Sequence, residues 1–159
     1  MISINKNACR TLWQTYLGTL PEGHPHHSAM PNAFGFGGEP QLADELAGLA
    51  LAGKKRATTS LPLEYTTLDL PVPQRGDLSI IVDGRGSPVA VIERTEVIEL
   101  AFAEVDAEYA AAEGEGDGSL RHWQQAHAEY FNGVCARLGG SFSAATPVLC
   151  QHFRIVWRP

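Results

Sequence analysis

The residue types best suited to chemistry stand together at positions 54–60, where three cations are followed at once by hydroxyl side chains. A threonine hydroxyl becomes a useful nucleophile only when a base takes its proton. Lys55 could be that base if burial or a neighbouring cation lowers its pKa, and Lys54 and Arg56 supply such charge. The alternative is structural, because a Gly-Lys-Lys run after a helix can simply cap the helix carbonyls and stay solvated.

Glu113 is a second candidate, because it closes a predicted short helix and precedes the glycine-rich residues 114–118. Its carboxylate could point into the molecule, where a cation such as Lys55 would be needed to hold the charge. The alternating carboxylates and glycines imitate the start of a calcium loop, but the twelfth position counted from Glu113 is Gln124 rather than glutamate. The calcium motif therefore fails.

The histidines and cysteines are weaker candidates for functional residues. Three histidines lie within residues 24–27, but the proline among them spoils a regular ligand geometry, so we predict no metal site there. His127 falls on the apolar stripe of a predicted helix, which favours a hydrogen-bonded core histidine over a catalyst. The three cysteines form no C-x-x-C pair, and their odd number predicts reduced thiols.

The length and net charge of the chain exclude several classes of function. The chain has 159 residues, which fits one domain with a sizeable core, and no second folding unit is predicted. No apolar run approaches a membrane span, and the first ten residues lack the apolar core of a signal peptide, which predicts a soluble, cytoplasmic protein without membrane contact. The net charge of -6 argues against a protein that coats nucleic acid, since such binding requires cations on the phosphates. Contact with RNA must come from a local basic patch.

Hydrophobic periodicity predicts helices at about residues 5–19, 40–52, 105–113 and 120–131, with Leu42, Leu46, Leu49 and Ala50 on the packed face of the second. Strands are predicted at 57–60, 77–83, 88–97 and 147–157, the middle two forming a hairpin. Residues 61–73, with three prolines, predict an irregular connection. Because helices do not alternate regularly with strands, the pattern indicates an α+β domain, and we predict a small β-barrel flanked by helices.

Several motifs in a fixed order are similar to one family. They are Phe36-Gly37, residues 42–46, residues 53–60, Arg75-Gly76-Asp77, and residues 113–117 followed by Ser119-Leu120, Trp123, His127 and Phe131. Together they resemble the ASCH domain, a PUA-like family, in its larger bacterial stand-alone members, over roughly residues 30–157. The resemblance implies a PUA-like barrel with a cleft for RNA or nucleosides. We expect one such domain over residues 1–159, with 1–30 as an N-terminal helical extension.

The resemblance also implies a site. Lys55 and Thr58 match the lysine and threonine of the family pattern G-x-K-x-x-T, and Glu113 matches its glutamate, so these three are the predicted catalytic residues. The predicted substrate-binding residues around them are Lys54, Arg56, Thr59, Ser60, Tyr65 and Trp123.

Two activities are associated with such domains, namely cleavage of single-stranded RNA and amide hydrolysis of N4-acetylcytidine. We predict a hydrolase that cleaves single-stranded RNA, with the amidohydrolase and a non-catalytic RNA-binding module as alternatives. The insertions around Trp123 and after Thr59 favour a ligand larger than a nucleoside. The expected partner is therefore single-stranded RNA or a modified nucleoside. No metal ligand is predicted, although a nuclease could use a divalent ion such as magnesium.

Overall fold

The computed structural model describes all 159 residues, which form five helices, five strands and one short 3-10 helix. In chain order the elements are α1 (Lys6–Gly18), β1 (Ala33–Phe34), α2 (Pro40–Leu51), β2 (Ala57–Ser60), α3 (Pro62–Thr67), β3 (Leu78–Val82), β4 (Pro88–Ala101), the 3-10 helix (Phe102–Glu104), α4 (Ala107–Glu113), α5 (Leu120–Arg137) and β5 (Pro147–Trp157). No helix combines the length and the apolar character that a membrane span requires.

The strands form one sheet in the order β1-β3-β4-β5-β2. The β1/β3 pair is parallel, whereas β3/β4 and β2/β5 are antiparallel. The fold is therefore a mixed arrangement of helices and a five-stranded sheet, as the predicted α+β class requires. The predicted barrel is not confirmed, because the two end strands, β1 and β2, are both very short and the sheet is not closed.

The chain divides into two compact units, both discontinuous in sequence. Unit 1 comprises Met1–Ala52, Asp77–Glu93 and Arg154–Pro159. Its apolar core joins one face of α1 to strand residues, and consists of Cys9, Leu12, Trp13, Tyr16, Ile80, Val82 and Val91. The side chain of Asn5 caps α1 by accepting a hydrogen bond from the backbone N–H of Ala8 at 3.0 Å.

The histidine cluster of unit 1 is anchored by hydrogen bonds. The hydroxyl of Tyr16 lies 2.7 Å from Nδ1 of His26, and Nε2 of the same ring lies 3.0 Å from a carboxylate oxygen of Glu93. These bonds tie the irregular segment after α1 to both α1 and β4, so a structural role accounts for His26.

Unit 2 comprises Gly53–Gly76 and Arg94–Phe153. Its core is built mainly from α4, α5 and the strands they cover, and contains Ala57, Leu61, Phe102, Val105, Tyr109, Ala110, Ala112, Trp123, Phe131, Val134, Cys135, Val148 and Cys150. The side chain of Ser119 begins α5 by accepting a hydrogen bond from the N–H of His122 at 3.1 Å. Every candidate site residue lies in this unit.

Most predicted elements are confirmed, and the differences have physical reasons. Residues 61–73 were predicted to be irregular, but they contain α3, because Pro62 suits the first turn of a helix and Glu64 accepts a bond from the N–H of Leu61. Leu42 is exposed, since the packed face of α2 consists of Ala43, Leu46, Ala47 and Ala50. The two residues of β1 are too short a segment to be predicted from periodicity.

Candidate functional site

Lys55 is one of the most deeply buried charged residues of the chain, with 1% of its surface exposed. It lies between Gly53, which ends the turn after α2 with a φ of +78°, and the first residue of β2. The backbone is held immediately after this lysine, because Arg56 donates its N–H to Ala112 and accepts a bond from the N–H of Phe153. The ammonium therefore occupies a fixed position beneath α4.

All three hydrogens of the Lys55 ammonium have acceptors. Nζ lies 2.8 Å from the carbonyl oxygen of Ala57, 2.9 Å from Oε1 of Glu113 and 2.7 Å from Oε1 of Glu115. An ammonium group offers three donors, so these three bonds leave no donor of this nitrogen free. The predicted convergence of Lys55 and Glu113 is thus present in the geometry.

Glu113 is held inward by the way α4 ends. Gly114 follows it in the left-handed conformation, with a φ of +65°, and its N–H bonds back to Ala110. A side chain at position 114 would collide with the backbone carbonyl of Lys54. Only glycine allows the end of α4 to approach the segment before β2 this closely, and this approach brings Glu113 to Lys55.

The second carboxylate oxygen of Glu113 is also occupied. Oε2 accepts a bond from the Thr59 hydroxyl at 2.6 Å and from the indole N–H of Trp123 at 2.6 Å, and Nε2 of His127 lies 3.2 Å away. The His127 ring stacks on Trp123 at 4.3 Å and its Nδ1 lies 2.9 Å from the carbonyl oxygen of Trp123. His127 is therefore a hydrogen-bonded core histidine, as predicted, but it also contacts the candidate site.

These contacts favour the charged forms of both Lys55 and Glu113. Burial alone lowers the pKa of Lys55, but the charges of Glu113 and Glu115 outweigh it and raise the pKa above its ordinary value. Burial alone raises the pKa of Glu113, but Lys55, His127 and Thr59 together hold that pKa far below its usual range. Both members of the pair remain charged near neutral pH.

Tyr109 connects this network to the sheet. Its hydroxyl donates to the carbonyl oxygen of Thr58 at 2.8 Å, accepts the N–H of Gln151 at 3.2 Å and lies 3.0 Å from the hydroxyl of Thr59. Burial and the charge of Glu113 raise the pKa of Tyr109 well above its ordinary value, so the phenol keeps its proton. The tyrosine hydroxyl thereby bridges β2 and β5 at the site.

The structure separates the predicted threonines. Thr59, predicted only to bind substrate, donates to Glu113, whereas the hydroxyl of Thr58, predicted to be catalytic, does not join this network. Successive side chains of a strand point to opposite faces, so Ala57 and Thr59 share the face of β2 on which Thr59 meets Glu113. Thr58 shares the other face with Ser60.

The face of Ser60 carries a second polar network. Ser60 Oγ accepts bonds from the Tyr65 hydroxyl at 2.9 Å and from Nε2 of Gln151 at 2.8 Å. Oε1 of Gln151 accepts a bond from Nε of Arg94 at 2.7 Å, and both of these residues are buried. Two predicted substrate-binding residues, Ser60 and Tyr65, therefore lie in this network and not in that of Lys55.

The remaining predicted binding residues differ in accessibility. Lys54 and Arg56 are exposed, in the segment that leads into β2. Trp123 is 2% exposed, because its indole ring lies between Phe102 and His127, so no base can stack on it in this structure.

Sequence reasoning missed Glu115, Tyr109, Gln151 and Arg94. Glu115 lies in the acidic segment two residues after Glu113, and this spacing is the only feature of the sequence that could have indicated a second carboxylate beside Lys55. The others carry no local signal, because their roles depend on which strands become neighbours.

One cluster has the composition of a metal site. It consists of Glu113, Glu115 and His127, whose ligand atoms lie within 4.8 Å of one another. The donor set does not fit magnesium, which prefers oxygen ligands in octahedral geometry. In addition, the Lys55 ammonium already lies against both carboxylates, at 2.9 and 2.7 Å, where a cation would have to bind. The residues therefore do not fit the divalent ion that a nuclease could use.

A mixed fold with a buried lysine–glutamate pair beneath a short helix is the arrangement that the sequence motifs predicted. The chain belongs to the ASCH domain family, whose pattern matches residues 32–157. This family is associated with RNA binding.

Solved structures agree with this assignment. An ASCH domain from Lactobacillus crispatus JV V101 is 30% identical, with a TM-score of 0.88, and the match covers 98% of each chain. A protein from Enterococcus faecalis V583 is 29% identical, with a TM-score of 0.85, and the match covers 95% of this chain and 89% of that one. No curated protein matches the chain.

Proposed function

We propose that this chain is an RNA-binding protein that holds a single-stranded segment on unit 2, and that the Lys55–Glu113 pair is structural. A structural role is supported by the hydrogen bonds of Lys55, because each of its three ammonium donors has an acceptor within 2.9 Å. The lysine itself is only 1% exposed. A group that transfers protons to a ligand needs an open hydrogen-bonding position toward that ligand.

The ionisation of the pair supports the same proposal. A catalytic lysine base needs a lowered pKa, but here the neighbouring carboxylates raise the pKa of Lys55. A catalytic glutamic acid needs a raised pKa, but here the pKa of Glu113 lies far below its ordinary value. Both shifts oppose the roles that an amidohydrolase would assign to these residues.

RNA contact is supported by the groups that remain accessible near β2. Lys54 and Arg56 are exposed cations, and Thr58 and Ser60 are partly exposed residues of the strand that follows. Lysine and arginine neutralise phosphates, and hydroxyl groups bond to phosphate and sugar oxygens. This segment is a local basic patch on an acidic chain, which is the pattern expected for RNA contact at one site.

A hydrolase is the second candidate, and one contact favours it. The Thr59 hydroxyl donates to Glu113 at 2.6 Å, which is the arrangement of a nucleophile beside a carboxylate base. In that case Thr59 would take the role predicted for Thr58, in cleavage of single-stranded RNA or in hydrolysis of N4-acetylcytidine. The depressed pKa of Glu113 makes it a weak base for this purpose.

The test measures binding and turnover together. Fluorescently labelled single-stranded RNA is titrated with protein at several salt concentrations, and the same RNA and N4-acetylcytidine are incubated with protein, each with and without EDTA. We expect salt-sensitive binding without turnover, and weaker binding by Lys54→Ala/Arg56→Ala. The matched control is Lys6→Ala/Arg10→Ala, which removes two exposed cations from α1 and should bind as the wild type does.

Turnover would decide between the candidates. Hydrolysis that is lost in Thr59→Val and retained in Thr58→Val would overturn the binding proposal in favour of the hydrolase. Turnover at equal rates in the wild type and in both variants would indicate a contaminating enzyme. Absence of both binding and turnover would contradict both candidates.

A further inference from the structure

A cavity of about 240 Å³ lies in unit 2, between β4, β5 and the first turn of α4. Sites for drug-sized ligands usually measure about 300–1,000 Å³, so this cavity suits a smaller group such as one base. Ile98 and Leu100 give it apolar walls, and Tyr109 is shared with the Glu113 network. It is therefore next to the buried pair but is not lined by it.

The polar atoms of the cavity are almost all acceptors. Glu96, Asp106 and Glu108 contribute carboxylates. The hydroxyl proton of Tyr109 is already given to Thr58, and the Cys150 thiol stays protonated because burial and the charge of Glu113 raise its pKa to about 12. Carboxylates repel phosphate groups, so a nucleotide could insert its base here but not its phosphate.

One atom of this lining is unsatisfied. Nδ1 of His152 is the only buried side-chain nitrogen or oxygen of the chain without a hydrogen-bond partner. It lies 3.9 Å from Oε1 of Glu96, which is too far for a hydrogen bond, but an amino group placed to one side of the two atoms can lie about 3 Å from each of them. A buried polar atom without a partner requires an explanation, and a bound group with two N–H donors supplies one.

We propose that this cavity binds the amino edge of cytosine or adenine, with the exocyclic N–H donors shared between Glu96 Oε1 and His152 Nδ1. Uracil carries a carbonyl oxygen where cytosine has the amine, so it would place an acceptor against a carboxylate. The proposal rests on the proposed RNA binding, to which it adds a base preference.

The experiment compares bases in two forms. Cytidine, adenosine and uridine are titrated as free nucleosides by calorimetry, and oligo(C), oligo(A) and oligo(U) are titrated by fluorescence anisotropy. We expect cytosine and adenine to bind roughly tenfold more tightly than uracil, which is the usual effect of one well-placed pair of hydrogen bonds to a base.

Three variants locate the effect. Glu96→Ala removes the carboxylate acceptor and His152→Phe removes Nδ1 while keeping a ring against Tyr109, so both should abolish the preference. Glu99→Ala is the matched control, because Glu99 is an exposed residue of β4 that points to the opposite face, and it should keep the preference. Thermal unfolding of each variant checks that the fold is intact.

The outcomes separate this proposal from the proposed function. Binding of all RNAs with equal affinity would overturn the base preference and leave RNA binding in place. Base-selective binding of nucleosides without binding of any oligonucleotide would support the cavity and contradict RNA binding. Absence of binding in both forms would overturn both proposals.

Discussion

At the residue scale, the central feature is a buried ion pair whose every polar atom is engaged. Lys55 and Glu113 are each 1% exposed, and removal of two charges from water is costly unless hydrogen bonds compensate. Here Thr59, Trp123, Glu115 and the carbonyl of Ala57 supply that compensation. Replacement of a whole buried pair is often nearly neutral, whereas removal of one partner leaves an uncompensated buried charge and is strongly destabilising.

Loss of both charges should therefore cost less than the sum of the two single losses. Lys55→Met leaves Glu113 buried without its main cation and should lower the free energy of unfolding by about 3–5 kcal/mol. Lys55→Met/Glu113→Gln keeps an amide oxygen for Thr59 and Trp123, so its loss should be smaller than the sum of the two single losses by about 0.5–3 kcal/mol. Urea denaturation measures these values, with exposed Lys54→Met as the control. Strict additivity would contradict a coupled pair.

The second residue-scale prediction concerns pH and His127. Burial lowers the pKa of His127, but the bond to Glu113 and the charges of Glu113 and Glu115 raise it above the usual 6.5. Because the pKa is raised in the folded state, the stabilisation is fully present below pH 6.5 and is lost as the pH rises through the raised value. Wild-type stability minus that of His127→Gln should therefore decline from pH 6 to pH 9 in urea titrations. A difference that is constant over this range would show that His127 does not charge in the fold.

The pKa of Glu113 is shifted in the opposite direction to that of His127. Its pKa is depressed in the folded state, so its contribution is present above the unfolded value of 4.5 and is lost only as the pH falls below it. The two titrations therefore occupy separate pH windows, and the decline assigned to His127 cannot come from this carboxylate.

At the scale of elements, the site depends on how α4 ends. Gly114→Ala should destabilise the chain by more than the cost of about 1–2 kcal/mol for a left-handed residue with a side chain, because the added carbon would also meet the carbonyl of Lys54. Gly118→Ala is the matched control, since its φ is +76° but no atom lies within 4 Å of the added carbon. The difference between the two denaturation midpoints isolates the contact. Equal losses would mean that α4 does not need this close approach.

The same elements show how far sequence reasoning reached. Periodicity predicted β3, β4, β5 and the helices α1, α2 and α5, because each has an apolar face that repeats at its own period. The pairing of Lys55 with Glu113 was predicted on other grounds, namely that a buried carboxylate needs a cation. The choice of Thr58 over Thr59 followed family spacing, but alternation along β2 puts the two threonines on opposite faces, and only Thr59 faces Glu113. The engagement of Tyr109 and Gln151 depends on the pairing of β2 with β5, which no local pattern encodes.

At the scale of the whole molecule, the distribution of charge limits how RNA can bind. The 18 acidic residues outnumber the 12 lysines and arginines, so a long nucleic acid has no broad cationic surface to follow. Each of the two units has its own apolar core, and the exposed cations Lys54 and Arg56 belong to unit 2. Binding should therefore be confined to a short contact with few phosphates.

The salt dependence of affinity measures the number of those phosphates. If Lys54 and Arg56 each neutralise one phosphate, the logarithm of the association constant should fall with the logarithm of salt concentration with a slope of about -1.4, since single strands give about -0.7 per phosphate. Lys54→Ala should reduce the magnitude by about 0.7, whereas Lys6→Ala should leave the slope unchanged. Anisotropy titrations of a labelled oligonucleotide between low and moderate salt provide the slopes. A wild-type slope of about -4 or steeper would require a cationic surface larger than these two residues and would contradict a short contact.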